Sequence, residues 1–199
     1  MQSFLHDPSA VIGLGILLLF LFCAIFAPYI APMDPYDLMS VDLGDFLLPP
    51  SWMDGGVAQF PLGTDDQGRG ILSTILFGLR TSIIVGTSVV TIAGLFGIIF
   101  GMLGAYYGGL LDAAIMRAAD TVFAFSTTLI AVLLLGVFES RGIFTVIIAI
   151  CIADWVKYAR TIRGSVLEIK NYPYVLAAKS SGANDFRILF RHILPNALP

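Results

Sequence analysis

Between Asp7 and Asp34 the sequence runs for 26 residues without Asp, Glu, Lys or Arg, and between Arg80 and Asp112 it does so for 31. A helix rises about 1.5 Å per residue and the hydrocarbon core of a bilayer is about 30 Å thick, so about 20 mostly apolar residues span it. Stretches 8–33 and 81–111 are both long enough. A third charge-free run, 121–138, has 18 residues, and a fourth, 142–153, has 12. The fourth reaches spanning length by borrowing Arg141 at one end and Trp155, Lys157 and Tyr158 at the other, because long cations snorkel and aromatic rings favour the interface. The expected fold is all-α, a polytopic transmembrane helical bundle of about four spans.

Composition agrees. The chain is 57% hydrophobic and 13% charged, against about 25% charged in soluble proteins, and its mean hydropathy is +0.88. A cleaved signal peptide needs a positive start and an apolar core of about 7–15 residues. Here the first cation is Arg69 and the apolar run is far longer, so the first stretch reads as an uncleaved span. Cys23 and Cys151 sit inside apolar stretches, where a thiol behaves as a small hydrophobe. Nothing around them has the spacing of a disulfide framework or a zinc site.

The placement of charge gives an orientation. Seven of the eleven cations fall between 157 and 191 (Lys157, Arg160, Arg163, Lys170, Lys179, Arg187 and Arg191), and seven of the fourteen acids fall between 34 and 66. Lys and Arg resist translocation. With four spans and the N-terminus inside, Arg117 and the basic cluster are cytoplasmic, while Arg69, Arg80 and Arg141 lie outside. The expected N-terminus is cytoplasmic.

Residues 32–62 are rich in Pro, Asp and Gly and read as an irregular outer loop. In the following "GTDDQGRGILSTILFGLR", Thr64 and Gln67 fit a capping box. Ile71, Leu72, Ile75, Leu76 and Leu79 then form one apolar stripe. This predicts an interfacial helix before a second span at 81–105. In that span Gly97 and Gly101 are four apart, as are Gly104 and Gly108, with Ala93 and Ala105 extending the small-residue ladder. Such ladders let helix backbones approach closely in lipid, either as internal packing or as an interface along a translocation path. Asp112, Arg117 and Asp120 read as solvated or paired in an inner turn, and Glu139 and Arg141 as flanking an outer one. Asp154 is expected to pair with Lys157 along a helix.

The tail, "YVLAAKSSGANDFRILFRHILPNALP", is basic and patterned. Pro173 suits a first helical turn, and Gly182 suits the end of a helix over 174–181. Asn184 or Asp185 caps a second helix. There Phe186, Leu189, Phe190, Ile193 and Leu194 form the expected apolar stripe, Arg187 and Arg191 share the other face, and Pro195 ends it.

These tail residues resemble the coupling loop of ABC-transporter permeases, whose pattern is Glu-Ala-Ala, three residues, Gly, nine residues and Ile-x-Leu-Pro. Ala177, Ala178, Gly182, Leu194 and Pro195 fall in register. Leu176 stands at the glutamate position and His192 at the isoleucine position, the latter as is usual in the dipeptide/oligopeptide/nickel branch. "PLGTDDQGRGILSTILFGLRTSIIVG" at 61–86, with Gly63, Thr64, Asp65, Gly68 and Arg69, resembles the outer segment of the C-type permease subunit of dipeptide importers. The usual form has an acidic residue where Gly70 stands. "GAYYGGLLDAAIMRAADTVFAF" at 104–125 resembles the turn between its second and third spans.

The resemblance implies a permease of a bacterial or archaeal inner membrane. Residues 1–80 would form the first span, outer loop and interfacial helix. Residues 81–199 would form a partial permease core, with coupling helices at 174–194 whose Ala177, Ala178, Gly182, Arg187, Arg191, His192, Leu194 and Pro195 face the ATPase. It implies as partners cytoplasmic ABC ATPase subunits, a homologous second permease and an extracytoplasmic substrate-binding protein, besides membrane lipid. It leaves dipeptide, oligopeptide, nickel complex and glutathione as substrates. Family members continue with two more spans, so this four-span stretch is not expected to transport alone.

Several functions are not expected from the residues. The chain has no G-x-x-x-x-G-K-[ST] loop to cradle a nucleotide, and its histidines are His6 and His192, which form no catalytic or metal-ligand cluster. No catalysis, cofactor or nucleic-acid partner is expected. The other reading is a small membrane scaffold or channel whose basic amphipathic tail binds lipid. An intramembrane enzyme would need paired ionisable groups deep in the spans, and none lies deeper than Asp154.

Overall fold

The computed structural model describes residues 7–37, 43–137 and 142–197. His6, Glu139 and Arg141 lie outside them. The described residues are helical, with one isolated bridge between Thr64 and Gly70 in place of any sheet. The chain divides into two compact units, Met1–Ile84 and Val85–Pro199.

In the first unit, helix α1 (Pro8–Ile30) begins with Pro8 in its first turn. The carboxylate of Asp7 accepts from the Ser9 amide at 3.1 Å and from the Ser9 hydroxyl at 2.7 Å. That cap satisfies a helix-end donor that would otherwise face lipid unpaired. Leu17, Leu18, Leu19, Phe22 and Ile25 are exposed along α1. Leaving such side chains in water costs about 1.5–3 kcal/mol each relative to burial; facing lipid costs nothing comparable. After a short 3₁₀ turn at Leu43–Asp45, the chain winds irregularly to Gly70.

Helix α2 (Ile71–Tyr107) has 37 residues and a length of about 55 Å. The expected interfacial helix and second span are one uninterrupted element. No proline occurs between Pro61 and Pro173, so nothing breaks the ladder at Arg80. The expected capping box is not formed either: the helix starts seven residues beyond Thr64, whose hydroxyl is used elsewhere.

In the second unit, Gly108 and Gly109 both take left-handed backbone (φ 67° and 56°) and reverse the chain. Helix α3 (Gly109–Ala124) follows directly, where an inner turn was expected. Phe125 is extended (ψ 144°) and ends it. Helix α4 (Thr127–Val137) then leaves at 89° to α3. The expected third span is therefore a broken one. Helix α5 (Ile143–Ile169) starts apolar, but Asp154, Lys157, Arg160 and Arg163 enter its middle and charge it. Among the described residues two helices, α1 and α2, are long and apolar enough to cross a bilayer alone. They become three if the bent α3–α4 pair is one span. Four were expected.

Helix α6 (Pro173–Ser180) opens with Pro173 in its first turn. A final helical run comprises α7 (Asp185–Arg187), a π-helical segment (Ile188–Ile193) and α8 (Leu194–Ala197). In the π segment the ladder widens, and the Leu194 amide donates to the carbonyl of Leu189. A widened turn shifts the bonding register, and Pro195 follows with the helix continuing to Ala197. The expected stop at Pro195 is not observed.

Candidate functional site

The joint of the tail is built by backbone hydrogen bonds. The Gly182 amide donates to the carbonyl of Lys179 at 3.0 Å, and the Ala183 amide donates to that of Ala178 at 3.1 Å. With Gly182 at φ 77°, this is a Schellman closure of α6, which satisfies carbonyls left open at a helix end. Ala177 contributes its carbonyl, which accepts from the Ser181 amide at 3.0 Å. Asn184 caps the next helix, its side chain accepting from the Phe186 amide at 3.2 Å. Of the two caps expected there, Asn184 is the one used.

The tail lies against other helices rather than extending freely. Val175, Ile188, Leu189, Ile193 and Ala197 are buried in one core with Met102 and Ala105 of α2 and Ile162, Val166 and Ile169 of α5. Two polar contacts fasten it. The Tyr106 hydroxyl donates to the Asp185 carboxylate at 2.6 Å, and the Lys170 ammonium donates to the carbonyl of Ala105 at 2.8 Å. The second places a cation at the C-terminal end of α2, where unpaired carbonyls concentrate negative charge.

This packing corrects the expected apolar stripe. Leu189 and Ile193 are buried and Leu194 is half-buried, but Phe186 is 67% exposed and Phe190 45%. Ile188 and Ala197 take the inward positions. The π segment turns the inward face away from the one a regular 3.6-residue period selects. The two phenylalanine rings instead meet each other at 4.4 Å on the surface. Arg187, Arg191, Ala177, Gly182 and Pro195 are exposed, and Ala178 and His192 are half-buried.

The glycines of α2 divide in role. A methyl at Gly97 would meet the Trp155 carbonyl oxygen at 2.7 Å, and one at Gly101 would meet the Ala159 Cα at 3.0 Å. Both therefore seat α2 directly on the α5 backbone. Gly104 adjoins Asp112, whose Oδ1 would lie 3.2 Å from an added methyl. Gly108 has nothing within 4 Å and serves the chain reversal. Above them Val89, Ala93, Ile147 and Cys151 form a second small core.

Charged pairs hold the α3–α5 contact, and sequence spacing could not have matched the partners. Arg163 binds both oxygens of Asp112 at 2.7 Å, and Arg160 reaches Asp120 at 2.7 Å while lying 4.6 Å over the Phe123 ring. Bidentate geometry suits a planar guanidinium. Asp154 pairs with Lys157 at 2.8 Å, as expected.

In the first unit, the motif 63–70 forms one tight turn. Thr64 is buried; its hydroxyl donates to the carbonyl of Asp45 and accepts from the Leu48 amide at 2.8 Å. Asp65 accepts from the Gln67 and Arg69 amides at 2.8 and 2.9 Å, and from the Arg69 side chain at 2.9 Å. Burial opposes ionisation of Asp65, but these donors and the Arg69 charge outweigh it and hold its carboxyl below the usual range. The Ile71 amide donates to the Gly63 carbonyl at 3.0 Å, and Gly63 and Gly68 take positive φ of 80° and 75°. A methyl at Gly70 would lie 3.1 Å from the Phe60 ring, which leaves no room for an acidic side chain there without movement.

What these features define is an integral membrane protein of several helices, whose tail is built into the ends of the helices beside it. Residues 93–199 match the family described as binding-protein-dependent transport system inner membrane component, and residues 1–50 match the N-terminal TM domain of oligopeptide transport permease C. The chain belongs to this family of transport-system inner membrane components, as a partial C-type permease subunit. It is 40% identical over 198 residues to the di/tripeptide transport system permease protein DppC of Pseudomonas aeruginosa, covering 99% of this chain and 64% of that protein. It is 38% identical over 201 residues to the oligopeptide transport system permease protein OppC of Bacillus subtilis, covering 100% of this chain and 62% of that one. The chain thus spans less than two thirds of the length of these relatives.

Proposed function

We propose that the chain is the membrane-spanning portion of a permease subunit in an ATP-driven importer of peptides or related small solutes, nickel complexes included. Separate cytoplasmic ATPase subunits hydrolyse the nucleotide, and this chain couples their closure to translocation without catalysing a reaction. A homologous second permease completes the pathway, and an extracytoplasmic binding protein delivers substrate. The N-terminus and the tail face the cytoplasm. Residues 1–80 supply the first span and outer segment, and 81–199 supply the core with its coupling helices at 174–194. In the latter, Arg187, Arg191 and the half-buried His192 flank the contact.

The observation that supports this reading most is the burial of the tail. Ile188 and Ile193 are fully buried and Leu189 is 3% exposed, in one core with Met102 and Val166. Close-packed interiors transmit displacement rather than absorb it, so force on the tail reaches α2 and α5. The peptide cargo is read from the names of the relatives.

Co-purification tests the reading. The tagged chain is expressed with its genomic neighbours and extracted in mild detergent, and bound ATPase is measured. Gly182→Pro cannot adopt the left-handed backbone of the joint and removes the amide donor that closes α6. ATPase recovered with the native chain and lost with Gly182→Pro supports coupling. Recovery of anionic vesicles without ATPase would instead make the tail a lipid-surface element.

A further inference from the structure

A pocket of about 210 Å³ opens beside the tail, lined by Tyr106, Lys170, Asn171, Val175, Leu176 and Lys179. Its charge is unbalanced. One donor of the Lys170 ammonium goes to the Ala105 carbonyl, which leaves two. The Lys179 ammonium has no hydrogen bond or ion pair among the described residues. The carboxylates of the surrounding elements are committed elsewhere: Asp112 to Arg163, Glu168 to the Tyr172 hydroxyl at 2.7 Å, and Asp185 to Tyr106. Two ammonium groups therefore share a small concavity with no anion of this chain to meet them.

The rim points to the kind of anion. Val175 is buried at the back of the pocket, and Leu176 stands 51% exposed at its edge. A carboxylate on a short aliphatic stem satisfies both surfaces, its oxygens at the lysines and its methylenes over Leu176. A free inorganic anion would leave the apolar edge wet.

We infer that this pocket receives an acidic side chain of the partner ATPase subunit, so that the partner supplies the anion and this chain the cation at the coupling contact. The inference rests on the function proposed above and names the chemistry of its docking partner. Complementary charge at such a surface fixes register and raises the rate of encounter more than it raises affinity alone.

The test quantifies ATPase co-purified with the native chain, Lys179→Arg and Lys179→Glu. Lys179 is exposed in the last turn of α6, and thermal unfolding of each variant checks that the fold survives. Should Lys179→Glu unfold, Lys179→Met replaces it. The expected result is near-native recovery with Lys179→Arg and about a tenfold loss with Lys179→Glu or Lys179→Met. Recovery by the native chain should also fall as salt rises from about 0.1 to 0.5 M, since screening shortens the reach of exposed charges. Full recovery with the folded Lys179→Glu or Lys179→Met variant overturns the inference and leaves the proposed function standing. No recovery even with the native chain overturns both. If Lys179→Glu keeps its ATPase but no longer floats with anionic vesicles, the occupant is a lipid headgroup and the inference falls.

Discussion

Arg163 grips both carboxylate oxygens of Asp112 at 2.7 Å, joining α5 to the first turn of α3 across 51 positions of sequence. Both side chains are partly buried, so each would be left short of a partner if the other were removed. Asp112→Asn or Arg163→Ala should destabilise the chain by about 1–3 kcal/mol, the range for losing a hydrogen bond to a charged group. Arg163→Lys should recover only part, because an ammonium cannot reproduce the fork. A double-mutant cycle read by denaturant titration in detergent checks both; additivity of the two single changes would rule out the pair as a stabilising unit.

The glycines of α2 offer a built-in comparison. Gly101 abuts the backbone of Ala159, whereas Gly94 has nothing within 4 Å. Gly101→Val should cost about 1–3 kcal/mol, as overpacking a tight contact does. Gly94→Val should fall within about 0.5 kcal/mol, the usual range for changes away from such contacts. Resistance to limited proteolysis measures the difference, and equal loss in both would mean that close approach is not what Gly101 provides.

The turn around Asp65 should be sensitive to acid. Its folded carboxyl titrates below its ordinary value. The stabilisation it gives is therefore complete above the unfolded value of about 3.9, and is lost as pH falls through the lower folded value. Amide exchange at Gln67 and Arg69, which donate to Asp65, should accelerate below that point beyond the intrinsic trend. In Asp65→Asn the acid-dependent step should vanish. A step of unchanged size in that variant would assign it to another group.

Burial separates two neighbours in the tail. Ile188 is fully buried and Phe186 is 67% exposed. Ile188→Ala should cost about 2–5 kcal/mol of stability, while Phe186→Ala should cost about 0.5 kcal/mol or less and act instead on partner binding. Thermal unfolding and ATPase recovery, measured on the same samples, distinguish the two. Reversed effects would mean that the tail is turned the other way.

Much of this architecture is legible in the sequence where a single local rule decides it. The charge-free run after Asp7 announces α1, and Gly182 with Asn184 announces the joint, because a left-handed glycine and a capping side chain act on their immediate neighbours. The pairing of Asp154 with Lys157 follows from helical spacing. Local rules fail where a distant residue competes. Thr64 looks like a cap, but its hydroxyl is claimed by Asp45 and Leu48. Arg163 finds Asp112 only after the chain has reversed at Gly108 and Gly109. Phe186 and Phe190 fall on the apolar stripe only if the helix keeps 3.6 residues per turn, and it does not. The break after Ala124 has no proline to mark it, and α2 runs on past Arg80 because no breaker stands there.

The π segment at Ile188–Ile193 has one more consequence, for how the tail tolerates changes in length. A π turn holds one residue more than the regular helix on either side of it, so the tail carries a spare position between two helical phases. The phase before it is set by the Asn184 cap, and the phase after it seats Ala197. Deleting one residue there would return the helix to a regular pitch and swing Leu194–Ala197 by about 100°. The same deletion in α6 would instead misplace the joint. The segment behaves as a splice, letting the two ends of the tail keep independent registers.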